Sequence, residues 1–408
     1  MPETKKRKIL FVDDEPKILQ GLQRMLHAMR KEWEMKFVGG GAEALSLLQS
    51  EAFDVVVTDM RMPGMDGAQL LSEVKRQAPE VIRIVLSGYS DSEMVLKSIP
   101  LAHQFLSKPC HPQTLISTIS GALALGDLLG DHSLKKLVTQ VSTLPSLPIL
   151  YLQMEQAIQS EGSNMERIAE IISQDVGMTA KVLQLANSAY FGLPQVISSP
   201  KEAVFYIGLK ALEALVLVVH IFAQFRNASR FQSFLDQLWL HSQVTAGIAE
   251  GISKQEGIDK TMRGYASMAG LLHDCGKLAL ADNFPEKYEQ ALSLVQQERI
   301  PLWQAEERVF GVHHGSVGAY LLGIWGLPNP IIEALAFHHQ PNSYPQDHFN
   351  VLTAVHVANA LEQENEILAD QRSRVDEDYL SVLGLRNRLP EWRILSKEVT
   401  GRQTKPKV

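Results

Sequence analysis

The stretch Phe53-Asp54-Val55-Val56-Val57-Thr58-Asp59 constrains the fold of this 408-residue chain more than any other. An unbroken β-branched run reads as a strand buried on both faces, as in a parallel sheet covered by helices on both sides. The run stops on a carboxylate, which places one acid at the carboxyl edge of that sheet. Two other segments behave alike. Ile9-Leu10-Phe11-Val12 ends in Asp13-Asp14-Glu15, and Phe105-Leu106-Ser107 is closed by Lys108-Pro109. Strands are expected at 9–12, 35–38, 54–58, 82–86 and 103–106, with helices between them and a last helix at 112–124. This rhythm specifies a five-stranded parallel α/β sheet with helices on both faces, whose ligands collect at the carboxyl ends of the strands.

The residues gathered at that edge carry a definite chemistry. Magnesium prefers oxygen ligands, and Asp13, Asp14 and Asp59 can supply carboxylate oxygens from two adjacent strand ends. A carboxylate can also be the nucleophile in phosphoryl transfer, giving an acyl phosphate. Lys108 would offset the charge that develops on the phosphoryl oxygens. Ser87, after Val81-Ile82-Arg83-Ile84-Val85-Leu86, has a hydroxyl able to donate to one of them. Solvation accounts for one polar group at a strand end; it accounts poorly for five at four different ends.

Residues 8–125 resemble the receiver domain of two-component response regulators. The resemblance rests on Asp13-Asp14, on Asp59 followed by Met60-Arg61-Met62-Pro63-Gly64-Met65-Asp66-Gly67, on Ser87-Gly88 and on Lys108-Pro109. It implies a flavodoxin-like fold in which Asp59 takes phosphate from a histidine kinase. It also implies that Asp13, Asp14, Asp59 and the Arg61 backbone carbonyl hold Mg2+, and that Ser87 and Phe105 form a switch pair. A cis bond before Pro109 is implied as well.

After Gly126 the character changes. From Ser133 to about Leu361 the pattern is almost entirely helical, punctuated by prolines and glycines. The expected organisation is a domain over 1–125, a connector over 126–136, a helical domain over 137–360 and a C-terminal extension over 361–408 with a frayed end at Thr404–Val408. The net charge of −7 gives no electrostatic case for nucleic acid. No helix-turn-helix with a basic recognition helix is evident, so DNA binding is not expected. The Lys5-Lys6-Arg7-Lys8 run reads as a solubilising flank. Two cysteines, Cys110 and Cys275, indicate no disulfide framework and suit a reducing cytoplasm. No signal peptide precedes the first strand. The most apolar stretch, Ala211–Phe225, is broken by Glu213, His220 and Gln224 and is too short to span a bilayer.

Most of the thirteen histidines fall in the helical part. His241, His273-Asp274, His313-His314, His338-His339 and His356 lie in five separate segments. Neutral imidazole and carboxylate are common ligands of transition metals, and a pair of such ions can act on a phosphodiester. One histidine on an apolar helix face is more often a hydrogen-bonded core residue; five segments, one with an adjacent Asp, favour a shared metal site. Residues 137 to about 360 resemble an HDOD domain of the HD superfamily. The resemblance is carried by Leu183–Phe191, Ala203–Leu209, Trp325-Gly326-Leu327-Pro328 and His338-His339.

HDOD domains generally act as interaction or signalling modules, whereas their HD-GYP relatives hydrolyse cyclic di-GMP at two or three metals. By resemblance, His241, His273, Asp274, His314, His338, His339 and Asn359 are the candidate ligands of Fe or Mn, with Lys277 in the place of a catalytic lysine. Three departures count against turnover. Gln237 stands where trinuclear sites have a glutamate, Asn359 replaces the closing aspartate, and the loop 338–345 lacks the Asp-Gly-x-Gly-Tyr-Pro element. Losing a carboxylate removes charge that helps two cations sit together. The leading expectation is a phosphorylation-dependent response regulator, monomer or homodimer, whose helical domain binds a protein or nucleotide partner. The rival is a receiver-gated phosphodiesterase of cyclic di-GMP or a related nucleotide.

Overall fold

The computed structural model describes residues 6–88, 98, 101–128, 134, 137–138, 145–146, 154, 157, 165–187, 197, 199–208, 223–224, 228–344, 346–364 and 374–403. The first unit runs β1 (Arg7–Val12), α1 (Pro16–Met25), β2 (Trp33–Val38), α2 (Gly41–Ser50), β3 (Val55–Asp59), α3 (Gly67–Gln77), β4 (Ile82–Ser87), β5 (Gln104–Ser107) and α4 (Pro112–Leu128). All pairings are parallel, in the order β2-β1-β3-β4-β5. Side chains alternate between faces with period two. Ile9, Phe11, Val55, Val57, Ile82 and Ile84 pack under α1 and α4 through Leu22, Leu26, Leu115 and Ile119. Leu10, Val12 and Val56 pack under α2 and α3 through Ala44, Leu70 and Val74. The expected α/β sheet with helices on both faces is what forms. Between β4 and β5, residues 89–97, 99 and 100 lie outside the described residues, as do most of the 126–136 connector, Ala211–Phe222 and Thr404–Val408.

Two edges differ from expectation. Arg7 and Lys8, read as part of a solubilising flank, are the first residues of β1, and β2 starts at the buried Trp33 to pair with them. Their charges are met by Asp54 and Glu51. At the other side β5 starts one residue late. Arg83 N donates to the His103 ring (Nδ1, 3.0 Å) rather than to a backbone carbonyl, so only the His103 N to Arg83 O bond (2.7 Å) joins the backbones of these two residues.

The second unit is helical: α5 (Met165–Ile172), α6 (Val176–Asn187), α7 (Pro200–Ile207), α8 (Ala228–Gln255), α9 (Lys260–Leu272), α10 (Cys275–Asn283), α11 (Pro285–Glu298), α12 (Leu302–Phe310), α13 (His314–Ile324), α14 (Asn329–Phe337), α15 (Val351–Glu364), α16 (Glu377–Val382) and α17 (Leu389–Gln403). α17 packs on α8, with Trp392 fully buried and its Nε1 donating to Glu256 (3.1 Å). Among the described residues no helix is long and apolar enough to cross a membrane.

The two units share one apolar core. Met60, Leu71, Val85 and Phe105 of the sheet unit belong to the same cluster as the helical interior. Polar contacts join them as well: Gln104 Nε2 donates to Ile324 O (3.1 Å), and Gln184 Nε2 donates to His103 O (3.0 Å). Beside them Lys181 is 4% exposed, with its Nζ 4.9 Å from the centre of the Trp325 ring. Burial, with a smaller contribution from Lys75, pushes its pKa down to about 7. An unfolded chain keeps that proton up to the ordinary value of 10.5. Between these pH values the unfolded state binds more protons, so stability rises with pH across the window and the full benefit is present only above it. Lys181→Met should flatten this slope and raise the unfolding midpoint at pH 7 by about 3 °C, roughly the effect of 1 kcal/mol in a domain of this size. Thermal unfolding from pH 6 to 10.5 measures both.

Candidate functional site

The sheet order reverses direction at β1, so the crevice between the β1 and β3 carboxyl ends is the switch point where ligands of such sheets sit. Asp13 follows β1, Asp59 ends β3 and Lys108 follows β5. Lys108 Nζ bonds both Asp13 Oδ2 (2.7 Å) and Asp59 Oδ1. Asp59 Oδ2 accepts from Arg61 N (2.7 Å), and Asp13 Oδ1 accepts from Glu15 N (2.9 Å). Burial raises the Asp59 pKa above the usual carboxylate range against the pull of Lys108. For Lys108, burial works to lower the pKa, but Asp13 and Asp59 outweigh it and the ammonium is favoured. Two buried carboxylates, Asp13 and Asp59, thus share one ammonium, and Asp14, half-buried, follows Asp13 in sequence; carboxylate oxygens of this kind suit a hard divalent cation.

The loop after Asp59 is held by close backbone packing. A Cβ on Gly67 would lie 2.2 Å from Asp59 O, and Gly67 N donates to Met60 O (3.0 Å). Asp66 caps α3 reciprocally with Gln69. Ser87 and Phe105 are both buried, and Lys108 N donates to Ser87 O (2.7 Å), tying the β4 end to the lysine. The Lys108–Pro109 bond is cis, as expected.

The second cluster is assembled from five helices or their ends. His273 closes α9, Asp274 opens α10, His314 opens α13, His338 closes α14, with His339 next, and His241 lies within α8. The donor atoms form two groups that share Asp274: His314, His338 and His339 with Asp274, and His241 and His273 with Asp274. Within each group they lie within 4.8 Å of one another. Asp274 Oδ1 is 3.0 Å from His314 Nε2 and 3.9 Å from His338 Nε2; Oδ2 is 3.4 Å from His273 Nε2 and 3.5 Å from His241 Nε2. Lys277 Nζ donates to Oδ2 (2.5 Å). Despite this crowding, Asp274 Oδ1 and His338 Nε2 are buried without an aligned hydrogen bond. Buried polar atoms are normally paired, so converging unpaired acceptors fit a metal ion.

The outer nitrogens are fixed. His273 Nδ1 donates to Gly270 O (2.7 Å) and His338 Nδ1 to Leu335 O (2.8 Å). His314 Nδ1 donates to Glu306 Oε2 (2.5 Å), which also accepts from His314 N (2.8 Å). His241 Nδ1 donates to Glu362 Oε2 (2.5 Å). Each bond leaves Nε2 directed at the cluster. Burial pushes His273 down to about 3 and holds His338 and His339 well below the usual range, so these rings are neutral, as ligands must be. Burial opposes charge on Asp274, yet His273, Lys277 and His314 keep its carboxyl well below the ordinary value. Burial would lower His314, but Glu306 and Asp274 raise it. A Cβ on Gly276 would lie 2.0 Å from His314 O, so only glycine lets α10 bring Asp274 against α13.

Some residues named from sequence take other parts. His313 caps α13 by accepting from Gly315 N (3.1 Å). His356 donates to His338 O (2.7 Å) and accepts from Asp376 N (2.9 Å), so both its nitrogens are committed to backbone. Asn359 is buried on α15, with its Oδ1 accepting from Gln363 (3.1 Å) and no hydrogen bond to the cluster among the described residues. Gln237 is exposed. Two carboxylates went unnoticed. Glu306 is 0% exposed and lies with Ala305 and Phe310 on the buried side of α12, inside a charged run that gives no sequence signal of burial. Glu362 follows Asn359 by one turn on a helix buried all round, so a carboxylate stands near the position where the sequence lost one.

Comparison with known proteins agrees with this layout. The response regulator receiver domain model matches residues 9–120, and the HDOD domain model matches residues 144–341. A protein of Treponema pallidum (strain Nichols) is 29% identical over 224 residues, covering 54% of this chain and 42% of that one. The hydrogenase transcriptional regulatory protein HoxA of Cupriavidus necator is 33% identical over 197 residues, covering 47% and 39%. The chain thus spans about two fifths of the length of these curated relatives. Among solved structures, it is similar to the signal receiver domain of an HD domain-containing protein from Pseudomonas fluorescens Pf-5 (34% identity, 28% of this chain and 90% of that one, TM-score 0.26). It is also similar to the MmoQ response regulator of Methylococcus capsulatus str. Bath (23% identity, 62% and 98%, TM-score 0.46). With its sheet unit matched as a receiver and its helical unit as HDOD, the chain belongs to the response regulators that carry an HDOD output domain.

Proposed function

We propose that Asp59 accepts a phosphoryl group from a cognate histidine kinase and that this modification controls the HDOD domain. The observation that carries the reading is the single ammonium of Lys108 bonded to both Asp13 and Asp59 at the sheet's switch point. A carboxylate oxygen of Asp59 forms the new bond to phosphorus, and the bond from phosphorus to the donor nitrogen breaks. Lys108 offsets charge on the phosphoryl oxygens, and the Arg61 N–H holds the Asp59 oxygen that does not attack. Asp13, Asp14, Asp59 and the Arg61 carbonyl would hold Mg2+, which supplies further positive charge when bound. Ser87 and Phe105 then move toward the modified residue and carry the change to β5. The test compares the parent chain with Asp59→Asn under acetyl phosphate. The parent alone should change its association state or its hydrogen exchange in the HDOD domain; identical behaviour in both rejects the control.

For the output, the geometry favours metal binding at the histidine cluster. A second reading, hydrolysis of a phosphodiester such as cyclic di-GMP, is favoured by one observation: two donor groups share Asp274. Fe or Mn there would supply Lewis acidity toward a phosphodiester. His241, His273, His314, His338 and His339 would hold the ions, and Lys277 stands by to meet a phosphate oxygen. Elemental analysis of protein purified without added metal, with a cyclic di-GMP hydrolysis assay in Mn2+, separates binding from turnover. Bound metal without turnover leaves an interaction or signalling module. Glu306→Gln keeps shape but removes the charge behind His314. It should weaken Mn2+ affinity by about 10–100-fold with unchanged circular dichroism. Titration of metal-free protein reads this directly.

A further inference from the structure

One helical hairpin links the two sites. α13 begins at His314 and ends at Ile324; α14 begins at Asn329 and ends against His338 and His339. The Trp325–Pro328 turn joins them. Three of the four members of one donor group therefore sit at the open end of this hairpin, about 15 Å from the turn at 1.5 Å per residue.

The receiver grips the closed end. Gln104 of β5 donates to Ile324 O (3.1 Å), the last carbonyl of α13. Gly323 lies so close to Leu125 of α4 that a Cβ there would be 2.5 Å from its methyl carbon. Gly326, in the left-handed region at φ +84°, faces the Gln104 amide. Phe105, next to Gln104 on β5, lines a cleft of about 750 Å³ whose other wall includes Asn329, Ile332 and Glu333 of α14. The other donor group, His241 and His273 with Asp274, is carried by α8 and the α9–α10 junction and has no member on the hairpin.

We propose that the α13–α14 hairpin is the lever by which the receiver sets the geometry of the His314–His338–His339–Asp274 metal group, leaving the His241–His273 group unaffected. This rests on the reading that Asp59 is phosphorylated and that the cluster binds metal. Movement of Phe105 displaces its neighbour Gln104 and with it the turn; a rigid hairpin transmits the tilt to its far end. Linkage is reciprocal: if the phosphoryl state changes metal affinity, metal changes affinity for the phosphoryl mimic by the same factor.

The test titrates metal-free full-length chain with Co2+, whose visible bands report ligand geometry, with and without beryllofluoride and Mg2+. Two binding steps are expected. Beryllofluoride should shift one of them by about tenfold, within the usual range of coupling. That step is the one His338→Ala removes. The shift should vanish in Asp59→Asn and in Gln104→Met, which keeps side-chain length and loses the donor. Hydrogen exchange over residues 314–340 of metal-free protein should respond to beryllofluoride in the parent and not in Gln104→Met, which reads the mechanical half alone. If beryllofluoride binds and cobalt binds but neither step shifts, or both shift equally, or Gln104→Met retains the shift, the lever is wrong while the functional reading stands. A chain that takes up neither beryllofluoride nor cobalt overturns both.

Discussion

Replacing Asp274 by alanine is expected to empty both donor groups at once, lowering bound metal to less than about a tenth of the parent level, whereas His338→Ala should leave one ion per chain. The asymmetry follows from position. Asp274 is the one residue common to the two groups, with one oxygen turned to each. It also balances the positive charge of Lys277, both groups being nearly enclosed by protein. Removing a buried charge from such a set leaves its partners uncompensated, at about 3–5 kcal/mol. The alanine variant is therefore best paired with Asp274→Asn, which keeps the shape and one neutral oxygen. Elemental analysis beside circular dichroism checks the prediction. A folded Asp274→Ala protein that still held one ion would contradict the shared-ligand arrangement.

Gly67→Ala is expected to be the most damaging small change in the receiver. The added methyl would meet a backbone oxygen, that of Asp59, at 2.2 Å, with Met60 Cα at 2.9 Å. No flexible side chain is there to swing aside, so either α3 or the end of β3 must move. Overpacking of this kind costs about 3 kcal/mol. A shift of about 1 Å at the reacting carboxylate should also slow phosphoryl uptake roughly 100-fold. Urea unfolding and acetyl phosphate labelling measure the two effects. Parent-like values in both would mean that Gly67 does not set the position of Asp59.

The receiver was legible because its information is local. Each parallel strand is a continuous apolar run, and Asp13, Asp59, Ser87 and Lys108 each terminate or closely follow one. The helical unit was harder, since its cluster comes from residues between 241 and 339 whose proximity depends on helix packing. Histidine, rare and chemically distinctive, still marked the inner donors. Glu306 could not be picked out, because Glu306-Glu307-Arg308 reads as an exposed charged face until α12 is seen to bury its first member. Glu362 was hidden similarly behind the change at Asn359. Least legible was the grip of Gln104 on Ile324, 220 residues apart, which no periodicity or motif encodes.

Labelling the purified chain with acetyl phosphate and Mg2+ tests the central claim most directly. The account predicts one hydroxylamine-labile phosphate per chain, mapped by mass spectrometry to Asp59 and lost in Asp59→Asn. A stable adduct elsewhere, or none on a folded chain, would contradict it.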